Sequence, residues 1–199
     1  MNNSNSSKSY VIDKDSLPEL YPTHLHDAGF WEALGRTVAT YSFLEEVLGK
    51  AIFVFSATRP YSSEEIDEAY ENWRPFLEKA LSDTLGPLID TYGKAVRENV
   101  NSTIQNLDEL LVHLRAASKL RNVLCHGSWR TPNEAGGSVP LFVNRQKEIF
   151  ETPVDIAFLI QTQKHVSELS CEVISTVTHM GLQFPGSGGP GEAIMKKNE

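Results

Sequence analysis

The sequence predicts a mainly α-helical domain, and three observations lead to that class. From Asp27 to Ala57, Phe30, Leu34, Val38, Tyr41, Leu44, Leu48, Ile52 and Phe55 recur at steps of three and four, the period of one helix face. From Ser102 to His126 the same period returns through Leu107, Leu110, Leu111, Leu114, Ala117 and Leu124. Strand-like runs are confined to Val139–Val143 and Glu148–Phe150. A chain of 199 residues, 40% hydrophobic and 22% charged, fits one domain. With about 150 ordered residues it buries some two thirds of its unfolded surface, so disulfides are not needed.

The opening stretch Met1–Ser9 is rich in Asn and Ser and has little to bury, and Phe184–Glu199 is dominated by Gly, Pro and charge. The expected layout is therefore a flexible N-terminal arm over residues 1–22, a helical domain over 23–183 and a disordered tail over 184–199. Asp27–Ala57 is expected as one helix of about eight turns. Ser62 and Glu65 have capping-box spacing and open a second helical segment, which Pro75 should break near Trp73 because it removes a backbone donor. A third segment, Ser82–Asn99, is weakened by Gly86-Pro87. The fourth, Ser102–His126, stops at Gly127. Turn chemistry at Pro132-Asn133 and Gly136-Gly137 frames a small β-hairpin inserted before the last helix. Thr152 as N-cap, Pro153 at the first helical position and Asp155 at the third then open a helix running to Gly181.

Charge narrows the function classes. Eighteen basic against 26 acidic residues give a net charge of −8, which argues against a non-specific polyanion coat and requires any anionic ligand to meet a local basic site. The longest apolar run, Ala51–Ala57, is far short of the ~20 residues of a membrane span, and MNNSNSSKSY lacks the apolar core of a signal peptide. The expectation is a soluble, cytoplasmic protein with no membrane partner. Cys125 and Cys171, widely spaced in apolar helical pattern, read as reduced structural thiols.

One segment answers the need for a local basic site. The 24 residues Leu110–Asn133 contain no Asp or Glu, where average usage would supply about three, while Arg115, Lys119, Arg121 and Arg130 contribute four positive charges. Cations near a helix C-terminus also complement the helix dipole, so composition alone leaves a purely structural reading open. Position sharpens it: Arg121 shares an arc with Leu107, Leu110, Leu114, Ala117 and Leu124, which aims its guanidinium toward the packed side. There it must meet a carboxylate, a helix end, another subunit or a cleft that admits an anion, because an unpaired buried charge is costly. Asn122 and His126, four residues apart, can hydrogen-bond along one face and so fix the imidazole tautomer. Arg121 and His126 lie about 140° and ~7.5 Å apart on an ideal helix, so the long arginine must reach across if both are to touch one group.

The string Arg121-Asn122-Val123-Leu124-Cys125-His126-Gly127 resembles the Arg, four to six residues, His motif of the HEPN superfamily, in the common form with Asn directly after Arg. The order of a long first helix, a motif at the C-terminal end of a later helix, a short hairpin and a final helix extends the resemblance over about residues 25–181. It implies a HEPN-like helical bundle, usually dimeric, in which the motif helices of two copies line a shared cleft. Many members are metal-independent endoribonucleases of toxin or antiphage systems; others have lost catalysis and bind RNA, a nucleotide or a regulatory protein partner. Carried onto this chain, His126 would transfer protons, Arg121 would stabilise charge on the phosphoryl oxygens and Asn122 would orient the site. RNA supplies its own 2′-OH nucleophile, so such residues suffice without a cofactor or metal and would yield a 2′,3′-cyclic phosphate.

Arg115, Lys119, Trp129 and Arg130 complete the candidate RNA-binding set, with Trp129 as a base-stacking ring or, more simply, a core aromatic. Glu45 or Glu46 on the first helix could pair Arg121, against a plain reading as a solvated outer pair. His24 and His26 make a poor metal pair because only Asp27 follows at ligand spacing. Cys125 beside His126 reads as a buried structural thiol ahead of a nucleophile, since adjacent helical residues point about 100° apart. His165 and His179 fall on the last helix, and GSGGPG at 186–191 lacks the lysine and following helix of a phosphate loop. A helical scaffold with an accidental motif is the third reading.

Overall fold

A computed structural model describes residues 10–59, 71, 75, 78 and 82–194. The expected capping box at Ser62 and Glu65 and the break near Trp73 lie outside these residues. Within them the chain is mainly α, built on α1 (Ala28–Ala57), α2 (Leu85–Glu98), α3 (Leu107–His126) and α4 (Ile156–Thr178).

α1 is the spine. Asp27 caps it by accepting a hydrogen bond from the Phe30 N–H at 2.8 Å. Its first half buries a single stripe, Phe30, Leu34, Thr37, Tyr41 and Leu44; from Val47 to Phe55 nearly every side chain is buried, so neighbours must cover it on several sides. α4 covers it most extensively, and α2 packs beside it. Two polar ties fix these contacts. The Thr37 hydroxyl lies 2.8 Å from the Ala33 carbonyl and 3.1 Å from the Leu159 carbonyl of α4. The buried Asn99 amide, just past α2, donates to the Phe55 carbonyl at 2.8 Å and to the Thr58 hydroxyl at 3.0 Å, which binds the end of α1 to the end of α2.

α2 begins at Leu85 and takes Pro87 into its first turn, where a missing N–H is no loss, so the Gly86-Pro87 pair starts the helix instead of weakening its middle. Tyr92 donates to the Thr176 hydroxyl of α4 at 3.1 Å. Burial pushes the Tyr92 phenol up to about 12, against the opposing pull of that hydrogen bond. α3 starts at Leu107, not Ser102, because Ser102 N–H is held in a turn by the Asn99 carbonyl at 3.0 Å.

Two expected elements differ. The segment between α3 and α4 forms no strand among the described residues; it pairs only at the single antiparallel bridges Ser128 with Leu141, Ser138 with Val154, and Val143 with Ile149. Pro132, Pro140 and Pro153 each lack the N–H a continuous ladder needs, so the inserted β-hairpin reduces to a bridged loop. The last helix is capped by Asp155, which accepts from Phe158 N–H at 2.7 Å, and not by Thr152. Val154 is fully buried and exchanges both backbone hydrogen bonds with Ser138, which holds the chain extended until Asp155. Past α4, Phe184 is buried in the core, and hydrogen bonds from Gln183 N–H to the Glu192 carbonyl (2.9 Å) and from Glu192 N–H to the Gly181 carbonyl (2.8 Å) close residues 181–192 into a loop. Most of residues 10–25 is exposed. Among the described residues no helix is long and apolar enough to cross a membrane.

Gly127 ends α3 in extended backbone, so its requirement is for space and not for a left-handed conformation. A Cβ there would lie 2.6 Å from the Val123 carbonyl oxygen and 2.7 Å from Pro140 Cβ. Gly127→Ala must therefore push the bridged loop off the helix end. It is expected to destabilise the protein by about 1–3 kcal/mol, the usual cost of overpacking. Denaturant unfolding checks this, and a loss below about 0.5 kcal/mol would mean that Pro140 yields freely.

Candidate functional site

The last turns of α3 bring Lys119, Arg121, Asn122 and His126 to one open groove of about 1180 Å³. Leu111, Leu114, Ala117, Val123 and Leu124 are the buried face of this helix, which leaves Arg121 and Asn122 half-buried at its margin and Lys119 and His126 exposed. The opposite wall is the bridged loop from Phe142 to Phe150, including Arg145, and Thr84–Pro87 at the start of α2 completes the lining. The loop is held by its own hydrogen bonds: Asn144 donates to the Glu148 carboxylate at 2.6 Å and accepts from Glu148 N–H at 2.9 Å.

Arg121 also faces α1. Its Nη2 lies 3.5 Å from Glu45 Oε1, with the two side chains 24% and 26% exposed. Glu46 points outward instead and pairs with Lys50 at 2.6 Å. One of the two acids thus faces the motif and the other is an ordinary surface partner. One turn before Glu45, the Tyr41 hydroxyl is buried with no hydrogen-bond partner among the described residues. Burial raises the Tyr41 phenol far above its ordinary value, and Cys125 adds to the shift. No hydrogen bond joins Asn122 to His126, so the tautomer-fixing contact expected from their spacing is not made.

The other candidates lie elsewhere. Arg115 pairs with Asp90 of α2 at 2.9 Å, both well exposed. Trp129 packs edge-on against Phe30 at 4.9 Å between ring centroids and lies 6.2 Å from His26, within an aromatic cluster that also holds Trp31. Arg130 is exposed, with its backbone tied to the Ser138 hydroxyl. None of these three lines the groove. Cys125 and Cys171 are exposed, which corrects the reading of Cys125 as a buried thiol: its position on α3 faces away from the core stripe. Among the described residues no group of three or more His, Cys, Asp or Glu side chains is arranged to hold a metal ion.

The local sequence pattern does not place the Phe142–Phe150 segment against the motif helix. The signal available was Arg145 and Lys147 in the hairpin turn following the motif helix, two further cations close in sequence to the basic segment. Compared with known proteins, the chain matches no family model, no curated protein and no solved structure.

His26 anchors the exposed arm in the aromatic cluster, its ring 4.2 Å from that of Phe30 and both nitrogens buried without a hydrogen-bond partner among the described residues. Burial lowers its pKa below the ordinary 6.5, partly offset by Asp27. The folded state thus resists a proton that the unfolded chain accepts. Stability from this residue is present above pH 6.5 and lost as pH falls below it. Unfolding measured from pH 7.5 to 5 should show a shallower loss in His26→Phe than in wild type; equal slopes would assign the titration to another group.

Proposed function

We propose that the groove at the end of α3 is an RNA-cleaving site and that the chain is a metal-independent, HEPN-like endoribonuclease of the toxin or antiphage-defence type, acting in the cytoplasm. The observation that carries this reading is the meeting of Arg121, Asn122, His126 and Lys119 at one open groove within an acidic protein. In the reaction, the RNA 2′-oxygen bonds to phosphorus, the bond from phosphorus to the 5′-oxygen breaks, and a 2′,3′-cyclic phosphate and a 5′-OH remain. The 2′-OH gives up a proton and the leaving 5′-oxygen takes one, which is work for an imidazole at His126. Arg121 offers a planar fork of donors to the phosphoryl oxygens as charge gathers on them. Asn122 borders the same space as an orienting group, and Lys119 and Arg145 suit the flanking phosphates.

One imidazole cannot both accept and deliver a proton in a single step. A homodimer whose motif helices share a cleft would supply two copies of His126, which supports the dimeric form of this reading. A second reading is favoured by the contact to Glu45: with Arg121 already engaged by a carboxylate, the site suits a catalytically silent module that binds RNA, a nucleotide or a regulatory protein partner.

The two separate experimentally. Purified protein should cleave cellular RNA in the presence of a chelator, spare DNA and leave cyclic phosphate ends. His126→Ala should reduce cleavage by at least about a hundredfold, the scale of a general acid–base contribution, with folding intact because the side chain is exposed. RNA binding without cleavage in wild type would establish the silent module, and cleavage that needs a divalent ion would remove the mechanism.

A further inference from the structure

The contact between Arg121 and Glu45 is unusual for an ion pair that merely holds two helices together. A structural arginine–carboxylate pair at a part-buried site gains most from short, forked hydrogen bonds. Here there is a single approach at 3.5 Å, and neither Arg121 nor Glu45 Oε1 makes a hydrogen bond among the described residues. Glu45 Oε1 is nevertheless buried, so its charge is balanced by Arg121 through proximity alone. The guanidinium has five N–H donors, and all remain uncommitted to hydrogen bonds within the described part of the chain.

A second polar group at the same spot is also under-bonded. Tyr41 lies one helical turn before Glu45, 1% exposed, with its hydroxyl also unpartnered among the described residues. Elsewhere the buried polar groups that join the helices are well bonded: Thr37 to Leu159, Asn99 to Phe55, Tyr92 to Thr176. Apart from the two His26 ring nitrogens in the aromatic cluster, the buried side-chain polar atoms left without a hydrogen bond among the described residues are the Tyr41 hydroxyl and Glu45 Oε1, both where α1 meets the motif helix. Arg121 is the group that reaches from there to the groove.

We propose that Glu45 is a positioning residue that holds Arg121 by charge at the inner edge of the groove and opposes anion binding, so that a phosphodiester must draw the guanidinium's free donors away from the carboxylate's field. This rests on the reading of the groove as a phosphate-binding RNA site. Two consequences follow, with opposite signs. Removing the negative charge at position 45 strengthens the attraction of Arg121 for an anion. It also frees the side chain from its fixed place, which slows any chemistry that needs the guanidinium aligned with the phosphoryl oxygens. A purely structural Glu45 predicts neither tighter binding nor a split between binding and rate.

The probe is a ten-nucleotide single-stranded RNA carrying 2′-O-methyl groups throughout, in which the nucleophile is blocked and binding is read without turnover. Fluorescence anisotropy at fixed ionic strength would compare wild type, Glu45→Gln and Arg121→Ala, each full-length and each checked by thermal unfolding. Glu45→Gln should bind roughly three- to tenfold more tightly, the scale of one part-exposed charge. Arg121→Ala should bind at least about tenfold more weakly. On cleavable RNA, Glu45→Gln should lower kcat by about tenfold without raising KM. If Arg121→Ala binds as wild type does, the phosphate reading of the groove fails. If Arg121→Ala weakens binding and Glu45→Gln fails to tighten it, the positioning role alone is overturned. Should Glu45→Gln not fold, Glu45→Asp decides: its carboxylate, one methylene shorter, is drawn back from Arg121 and should tighten binding, whereas wild-type affinity would overturn the role.

Discussion

The near-complete burial of the second half of α1 is the constraint on which the rest of the fold depends. A helix that hides Val47, Leu48, Ala51, Ile52, Val54 and Phe55 cannot lie on a surface, so α2 and α4 must enclose it, and every polar group along it must be matched or accept the cost of burial. Thr37 is matched by α4, and the carbonyl of Phe55 by Asn99. Glu45, at the border between the striped half and the enclosed half, has only Arg121 among the described residues. A charge at this point of α1 thus fixes where α3 must present a cation.

The end of α3 follows from that. Its apolar residues seat it on the core, and Arg121 is turned to the margin between core and groove. Gly127 lets the chain leave the helix pressed against Pro140, and this close exit brings the Phe142–Phe150 loop opposite Lys119 and His126. The groove is made by a helix end and a loop that returns to it, with prolines keeping the loop from becoming a sheet. The wall is held by single bridges, by the Phe150 N–H to Phe142 carbonyl bond and by the Asn144–Glu148 pair in place of a continuous ladder.

The helices were legible in the sequence because each buries a stripe whose period is local. Ala28–Ala57 falls within a residue of the span Asp27–Ala57 read from the sequence, and α3 ends where Gly127 says it should. Starts were less legible: the sequence points to Thr152 as the cap with Asp155 inside the helix, and only the distant pairing of Val154 with Ser138 moves the cap to Asp155. The same holds for the site. Arg121, Asn122, His126 and Lys119 sit within eight residues and could be grouped by spacing, whereas Trp129 and Arg130 follow directly in sequence yet turn away after Gly127 into the packing of the bridged loop. The loop wall with Arg145 came from chain return, which no local period encodes. Cys125 failed for a simpler reason: an apolar neighbourhood in sequence places a helical residue on either face.

Charge accounting gives the groove its character. Of the cations in the basic segment, Arg115 is taken up by Asp90 on the surface, where the pair is screened and worth little, and Arg121 is shared with Glu45. Among the described residues, Lys119 and Arg145 enter no ion pair, and both line the groove. A chain of net charge −8 gives a polyanion no long-range attraction, and beyond the screening length of about 8–10 Å its charges are little felt, so an anion would have to be held by cations that lie together. On the proposed reading of the groove, such a surface would discriminate by contact and not by long-range steering, with Arg121 and His126 both on the groove wall.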